Sequence, residues 1–225
     1  MTFLIIYIES TYNERKHVMK IKFILVSFIV ILFSGCSQWV SVNPLSQPSV
    51  LDKKLEGTWK YESKEGEEVY LHIGKKTENT MLALSVEHKK DGSLDISEIP
   101  FYITMTGVNN YFNVRYKDID ESAEAKENGF IFVKYAFSGD NNLNIYQFNP
   151  DVIISAVQSG KLKGEIYYKE TKITPPPEKA GREKPAAAKT IDRVKITDTS
   201  ENMVKFFNSE GNKYIPEVLK FVRMK

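Results

Sequence analysis

Apolar residues return at every second position along much of this chain, and that period decides the class of fold open to it. Val69, Leu71 and Ile73 alternate with Tyr70 and His72. Leu82, Leu84 and Val86 alternate with Ala83 and Ser85, and Phe101, Ile103 and Met105 with Tyr102 and Thr104. Phe112, Val114 and Tyr116 alternate with Asn113 and Arg115. One face buried at every second residue is the pattern of a half-buried antiparallel strand. The segment Phe130–Phe137 is apolar on both faces, as a central strand would be, and Gly139-Asp140-Asn141-Asn142 reads as a hairpin turn into 143–148. Further strands are expected over 164–172, 191–197 and 217–224. The abundance of Phe and Tyr agrees, since aromatic side chains fit a pleated surface.

Two short helices interrupt the strands. Asp151 can cap one that runs through Gln158 and stops at Gly160. Asp198 and Glu201 have capping-box spacing for another that runs to about Asn208, with Val204, Phe206 and Phe207 as its apolar face. The sum is a mainly β domain: an antiparallel barrel or sandwich of about ten strands with two short helices. Closure into a barrel would leave no unpaired edges.

The front of the chain follows different rules. Lys20 and Lys22 precede Phe23–Phe33, an eleven-residue run that is apolar except for Ser27. A bilayer core of about 30 Å needs roughly 20 residues to cross, so this run is too short to span and has the layout of an export signal. Ser34 and Gly35 then lead into Cys36, the one cysteine of the chain. A lone thiol cannot form an internal disulfide, so it needs another purpose.

The stretch Leu32-Phe33-Ser34-Gly35-Cys36 resembles the lipobox of bacterial lipoproteins, in which an aliphatic residue and two small residues precede the cysteine. Phe33 stands where that family most often has Leu. The resemblance covers about eighteen residues and implies a cut before Cys36 and acyl chains on it. At about 0.8 kcal/mol per buried CH2, two or three such chains hold a protein firmly on a membrane. Residues 1–35 are therefore expected to be a signal segment, with Met19 as the true start. Residues 36–54, with Pro44, Pro48 and no periodicity, read as a lipidated tether, and 55–225 as the β-domain. Within that domain the Pro- and Ala-rich stretch 174–190 reads as a connecting loop. Ser37, where an aspartate would favour the inner membrane, implies the periplasmic face of the outer membrane if the host is diderm.

Gly57-Thr58-Trp59 resembles the G-x-W of lipocalins and related calycin barrels. That resemblance implies a tryptophan plugging a closed barrel end beneath an arginine from near the chain terminus, with Arg193 and Arg223 as candidates. It also implies a carrier of small lipophilic ligands. No T-D-Y motif accompanies it, and the 174–190 stretch is foreign to the family pattern.

Little else in the sequence points to chemistry. The domain has two histidines, His72 and His88, neither at metal-ligand spacing. Asp118, Asp120 and Ser122 have the first spacings of a calcium loop, but Ala123 replaces its glycine and Gly129 its closing glutamate. No nucleophile elbow, zinc-protease helix or phosphate loop is present. The expectation is a non-enzymatic domain with no cofactor and no metal. Arg15, Lys16, Lys20, Lys22, Glu9 and Glu14 account for the whole excess charge, so the remaining chain is neutral. It has no general pull on phosphate backbones, which argues against nucleic acid as a partner. Tyr70, Tyr102, Tyr111, Tyr146 and Tyr168 are the candidates to line a cavity if the barrel is open; in a packed fold they are core and rim. Two functions remain: a membrane-anchored envelope lipoprotein whose domain binds another envelope component or has a structural role, or a lipocalin-like carrier of a small lipophilic ligand.

Overall fold

A computed structural model describes residues 38–48, 51–63, 66, 68–89, 91–119, 129–146, 148–171, 188–210 and 219–225. The signal segment, Cys36 and most of 174–190 lie outside them. The described residues form eleven strands and two α-helices: β1 Gln38–Ser41, β2 Gly57–Glu62, β3 Glu68–Lys75, β4 Met81–His88, β5 Leu94–Met105, β6 Asn110–Arg115, β7 Phe130–Phe137, β8 Asn142–Tyr146, α1 Pro150–Gln158, β9 Gly164–Thr171, β10 Ala188–Ile196, α2 Ser200–Ser209 and β11 Leu219–Arg223.

Strands β2 to β8 form an antiparallel meander, each bonded to the next, and β11 closes it by pairing with both β8 and β2. The result is the expected antiparallel barrel, closed by eight strands. Its closure leaves these strands no free edge except where one outlasts its neighbour. The period-two residues point inward: Trp59, Val69, Leu71, Ile73, Met81, Ala83, Phe101, Ile103, Phe112, Val114, Ile131, Val133, Tyr135, Leu143, Ile145 and Phe221 belong to one contiguous core.

The other three strands branch from β7. Ser41 of β1 pairs with Phe130, β10 runs parallel to β1, and β9 runs antiparallel to β10. With α1 and α2 they cover the outer wall of the barrel. A second core fills the gap, with Trp39, Tyr111, Phe132, Phe148, Ile153, Val194, Met203, Phe206 and Phe207 among its members. Phe207 of α2 sits 4.3 Å from the ring of Phe148 and 5.7 Å from that of Phe132. This explains why β7 is apolar on both faces. Ile131, Val133 and Tyr135 face the barrel interior, while Phe132 faces the second core.

The stretch 38–48, read from its sequence as a free tether, is part of the fold. Trp39, Val40 and Leu45 are buried. Asn113, itself buried on the outer wall of β6, accepts the Leu45 N–H (3.1 Å) through Oδ1 and donates to Thr104 Oγ1 (2.9 Å) through Nδ2. Ser200 Oγ donates to Pro44 O, and Asn43 Nδ2 to Asp198 O. Gly129 lets β1 come this close: a Cβ there would lie 2.2 Å from Val40 Cγ2. Two prolines and no alternation suggested a linker, but four residues are enough for a strand when neighbours on both sides supply the pairing.

Both helices start within two residues of the expected point, on different caps. Asn149 caps α1, with Pro150 in its first turn, and Thr199 caps α2 through a bond from Asn202 N–H. Asp198 lies one residue earlier and works from outside the helix. It accepts from Lys163 N–H (2.9 Å), Thr199 N–H (2.8 Å) and Asn202 Nδ2 (2.6 Å). Burial pushes its carboxyl up, but these bonds outweigh burial and hold it below the ordinary aspartate value. Glu201 does not complete a capping box; it pairs with Lys205 at 2.8 Å one turn on.

Candidate functional site

One end of the barrel is plugged, and every part of the plug comes from a definable residue. Asp52 caps a single 3-10 turn, Lys53–Leu55, through Lys54 N–H. The turn lays Leu55 across the barrel end beside Trp59, and both are fully buried. Trp59 Nε1 donates to Leu55 O at 2.7 Å, so the indole carries its polar atom inside without a penalty. Arg223, at the end of β11, lies with its guanidinium 4.2 Å above the Trp59 ring. It donates to Glu56 O (2.7 Å) and to Lys54 O, which ties the 3-10 turn to the last strand. Gly57 makes room for it: φ is +126°, and a Cβ would lie 2.9 Å from Arg223 Nη1. Of the two candidate arginines, it is therefore Arg223 that covers the tryptophan. Arg193 stacks over Tyr167, outside the barrel, at 4.9 Å.

Above the plug, aromatic rings pack on one another inside the barrel. Phe112 stacks on Tyr135 with centroids 4.3 Å apart, and Phe101 meets Phe112 edge-on at 4.9 Å. Phe137 bridges Tyr135 (6.0 Å) and Trp59 (5.9 Å), and Tyr61 meets Phe221 at 5.5 Å. Tyr135 donates its hydroxyl to Asp52 Oδ2 at 3.0 Å, and burial together with that carboxylate pushes the phenol far above its ordinary pKa. It is a fixed donor at any physiological pH. At the opposite end the inner surface turns polar. Ser85 and Glu87 of β4 are buried there, directly opposite Ser97 and Asp95 of β5. Lys89 Nζ holds Asp95 at 3.1 Å.

None of the five tyrosines singled out in the sequence lines this interior. Tyr70, Tyr102, Tyr111 and Tyr146 sit on barrel strands at the parity opposite to the inward residues, and Tyr168 lies on β9. Tyr111 belongs to the second core. Tyr70 donates to Glu68 Oε2 (2.8 Å), in a surface network in which Glu68 also pairs with Lys60. Lys134 lies over Tyr146 at 5.4 Å. The interior rings are Tyr61, Tyr116 and Tyr135 instead. A period of two cannot say which of its two faces points inward.

His72 is exposed and shares a 3.0 Å hydrogen bond with Thr58, and His88 stacks edge-on against Tyr70 at 5.4 Å. Of the calcium-like spacing, Asp118 ends a short 3-10 turn, while Asp120 and Ser122 fall outside the described residues. Among the described residues no group of three or more His, Cys, Asp or Glu side chains could hold a metal. No described helix is long and apolar enough to cross a membrane.

The outer wall offers a feature that sequence reading missed. Leu82, Leu84 and Val86 of β4 face outward beside Leu94, Ile96 and Pro100 of β5, in direct cross-strand register for Val86–Ile96 and Leu82–Pro100. Leu94 is 56% and Ile96 54% exposed. Neither α1 nor α2, the helices among the described residues, belongs to this side; their buried side chains pack in the second core over β6 and β7. The signal lay in the alternation Leu94, Ile96, Glu98, which has the opposite phase to the core residues Phe101 and Ile103 on the same strand.

Comparison with known proteins gives no relative: no family model, no curated protein and no solved structure matches this chain.

Proposed function

We propose that this chain is a cell-envelope lipoprotein, anchored through acyl chains on Cys36, whose barrel is a filled, non-enzymatic scaffold that binds another envelope protein. The observation that carries the binding role is the apolar stripe on the barrel wall, half-buried at Leu82, Leu84 and Val86 and exposed at Leu94 and Ile96. Contiguous apolar side chains left in part to solvent mark contact surfaces. The ring column of Phe101, Phe112, Tyr135 and Phe137 supports a scaffold over a carrier of a small lipophilic ligand, because it occupies the volume such a ligand would need. The plug of Trp59 and Arg223 supports a calycin-like ancestry for the barrel. In a diderm host the proposed location is the periplasmic face of the outer membrane.

Two experiments test this reading. Labelled palmitate is incorporated by the chain in its host, and Cys36→Ala abolishes the label and leaves the precursor uncut. Label in the Cys36→Ala protein would refute the anchor. A photocrosslinking amino acid at Ile96 traps a discrete envelope protein in intact cells, whereas the same group at Asn79, on the turn after β3, does not. Equal yields at both positions would refute the contact surface.

A further inference from the structure

We infer that the β9–β10 hairpin is a membrane-contact arm, lying in the headgroup layer of the bilayer that holds Cys36. This rests on the lipid-anchor reading above and adds an orientation to it. Chain length sets the geometry. Cys36 precedes the first sheet residue, Gln38, by two positions, a span of at most about 7 Å. Gln38 lies opposite Arg193, and β1 runs parallel to β10. From Arg193 the hairpin continues past the start of β1, with Ala188 to Ile191 paired to Thr171 to Tyr168. At about 3.3 Å per residue this overhang extends roughly 13 Å, further than the leash to Cys36 is long. The headgroup layer is itself about 5–8 Å deep on each side. Acyl chains in the bilayer therefore bring the base of the arm, at Arg193 and Tyr167, into or against the headgroups.

The side chains on the arm suit that layer. Tyr168 and Ile191 are a cross-strand pair on one face, and Tyr168 is 53% exposed. Ile191 packs on the second core, and the next same-parity pair in register is Glu170 with Lys189, so it is the Tyr168 phenol that suits a membrane interface. The other face carries Arg193 over the Tyr167 ring, with Lys169 and Lys195 beside it. These cations can reach lipid phosphates. The acidic residues there are Glu165, which accepts from the Tyr167 hydroxyl, and Asp192 at the bulge. The barrel hangs from this edge by β7, so β3, four strands away in either direction, is the part of the barrel furthest from β7.

The test uses the full lipoprotein reconstituted in phosphatidylethanolamine–phosphatidylglycerol vesicles. Acylation occupies the single native thiol, so Lys169→Cys and, separately, Asn79→Cys each provide one site for a nitroxide. Mass spectrometry first establishes the lipid on Cys36. With lipid present, the nitroxide at 169 collides with oxygen several-fold more, relative to a water-soluble nickel chelate, than the nitroxide at 79 does. Adding Tyr168→Ser to Lys169→Cys lowers that ratio. Equal, fully aqueous ratios at 169 and 79 on a lipidated protein overturn the arm while leaving the anchor intact. Absence of lipid on Cys36 overturns both.

Discussion

Replacing Trp59 by alanine tests whether the closed barrel end is held by the contacts described. The indole is fully buried, meets Phe137 at 5.9 Å, donates to Leu55 O at 2.7 Å and lies under the Arg223 guanidinium at 4.2 Å. Removing so large a buried ring costs about 3–5 kcal/mol, because the surrounding strands close the cavity only in part. That is a large share of the 5–15 kcal/mol by which a domain is ordinarily stable. For a chain of this size urea unfolding has a slope of about 2 kcal/mol per molar, so the midpoint falls by about 2 M. Trp59→Phe separates the terms. It keeps much of the apolar contact but leaves the Leu55 carbonyl without its donor, which costs about 1–2 kcal/mol and a shift of under 1 M. Far-UV circular dichroism is the proper probe, since the substitution removes one of the two tryptophans whose fluorescence would otherwise report. A double-mutant cycle with Arg223→Ala yields a coupling of about 0.5–1 kcal/mol for a cation over an indole. A midpoint for Trp59→Ala within experimental error of the parent would refute the plug, and zero coupling would refute the role of Arg223.

Four further outcomes follow from the same geometry. Gly57→Ala meets both a positive φ and the Arg223 guanidinium, so thermal unfolding shows a loss of about 1–3 kcal/mol. Asn113→Ala strands the Leu45 N–H in a buried site, costs about 1–3 kcal/mol, and exposes residues 43–48 to limited proteolysis that the parent resists. The lowered Asp198 carboxyl contributes stability that is full above the unfolded value near 3.9 and is lost as pH falls through its lower folded value. Asp198→Asn is therefore less stable than the parent at neutral pH, and the two converge as pH falls below that lowered value in acid titrations followed by circular dichroism. Phe112→Ala empties the middle of the ring column and creates binding of an environment-sensitive apolar dye that the parent lacks; dye binding of equal strength by the parent would show that the barrel is not filled.

The barrel was legible in the sequence because its strands obey one local rule. Each inward face repeats at two, and the turns between them carry glycine, asparagine or aspartate. The both-faces pattern of Phe130–Phe137 marked the strand that serves two cores. Where the reading failed, a non-local partner had decided the outcome. Four residues, Gln38–Ser41, form a strand because β7 and β10 flank them, and nothing within those four residues announces it. The first half of β5 went unread because its outward Leu94 and Ile96 and inward Asp95 and Ser97 invert the expected burial. The caps shifted by one or two residues because Asn149 takes the Asp151 N–H and Thr199 the Asn202 N–H, while Asp198 is engaged by the Lys163 and Thr199 N–H groups. The choice between Arg193 and Arg223 was likewise a question of tertiary placement. Spacing could name both but could not select the one at the barrel end.

The most direct test of an anchored, filled scaffold is native mass spectrometry of the mature protein extracted from its host's envelope. The expected mass is that of the chain beginning at Cys36 plus covalent acyl groups, with nothing further lost on gentle activation. A stoichiometric non-covalent adduct of fatty-acid size would contradict it and make the barrel a carrier.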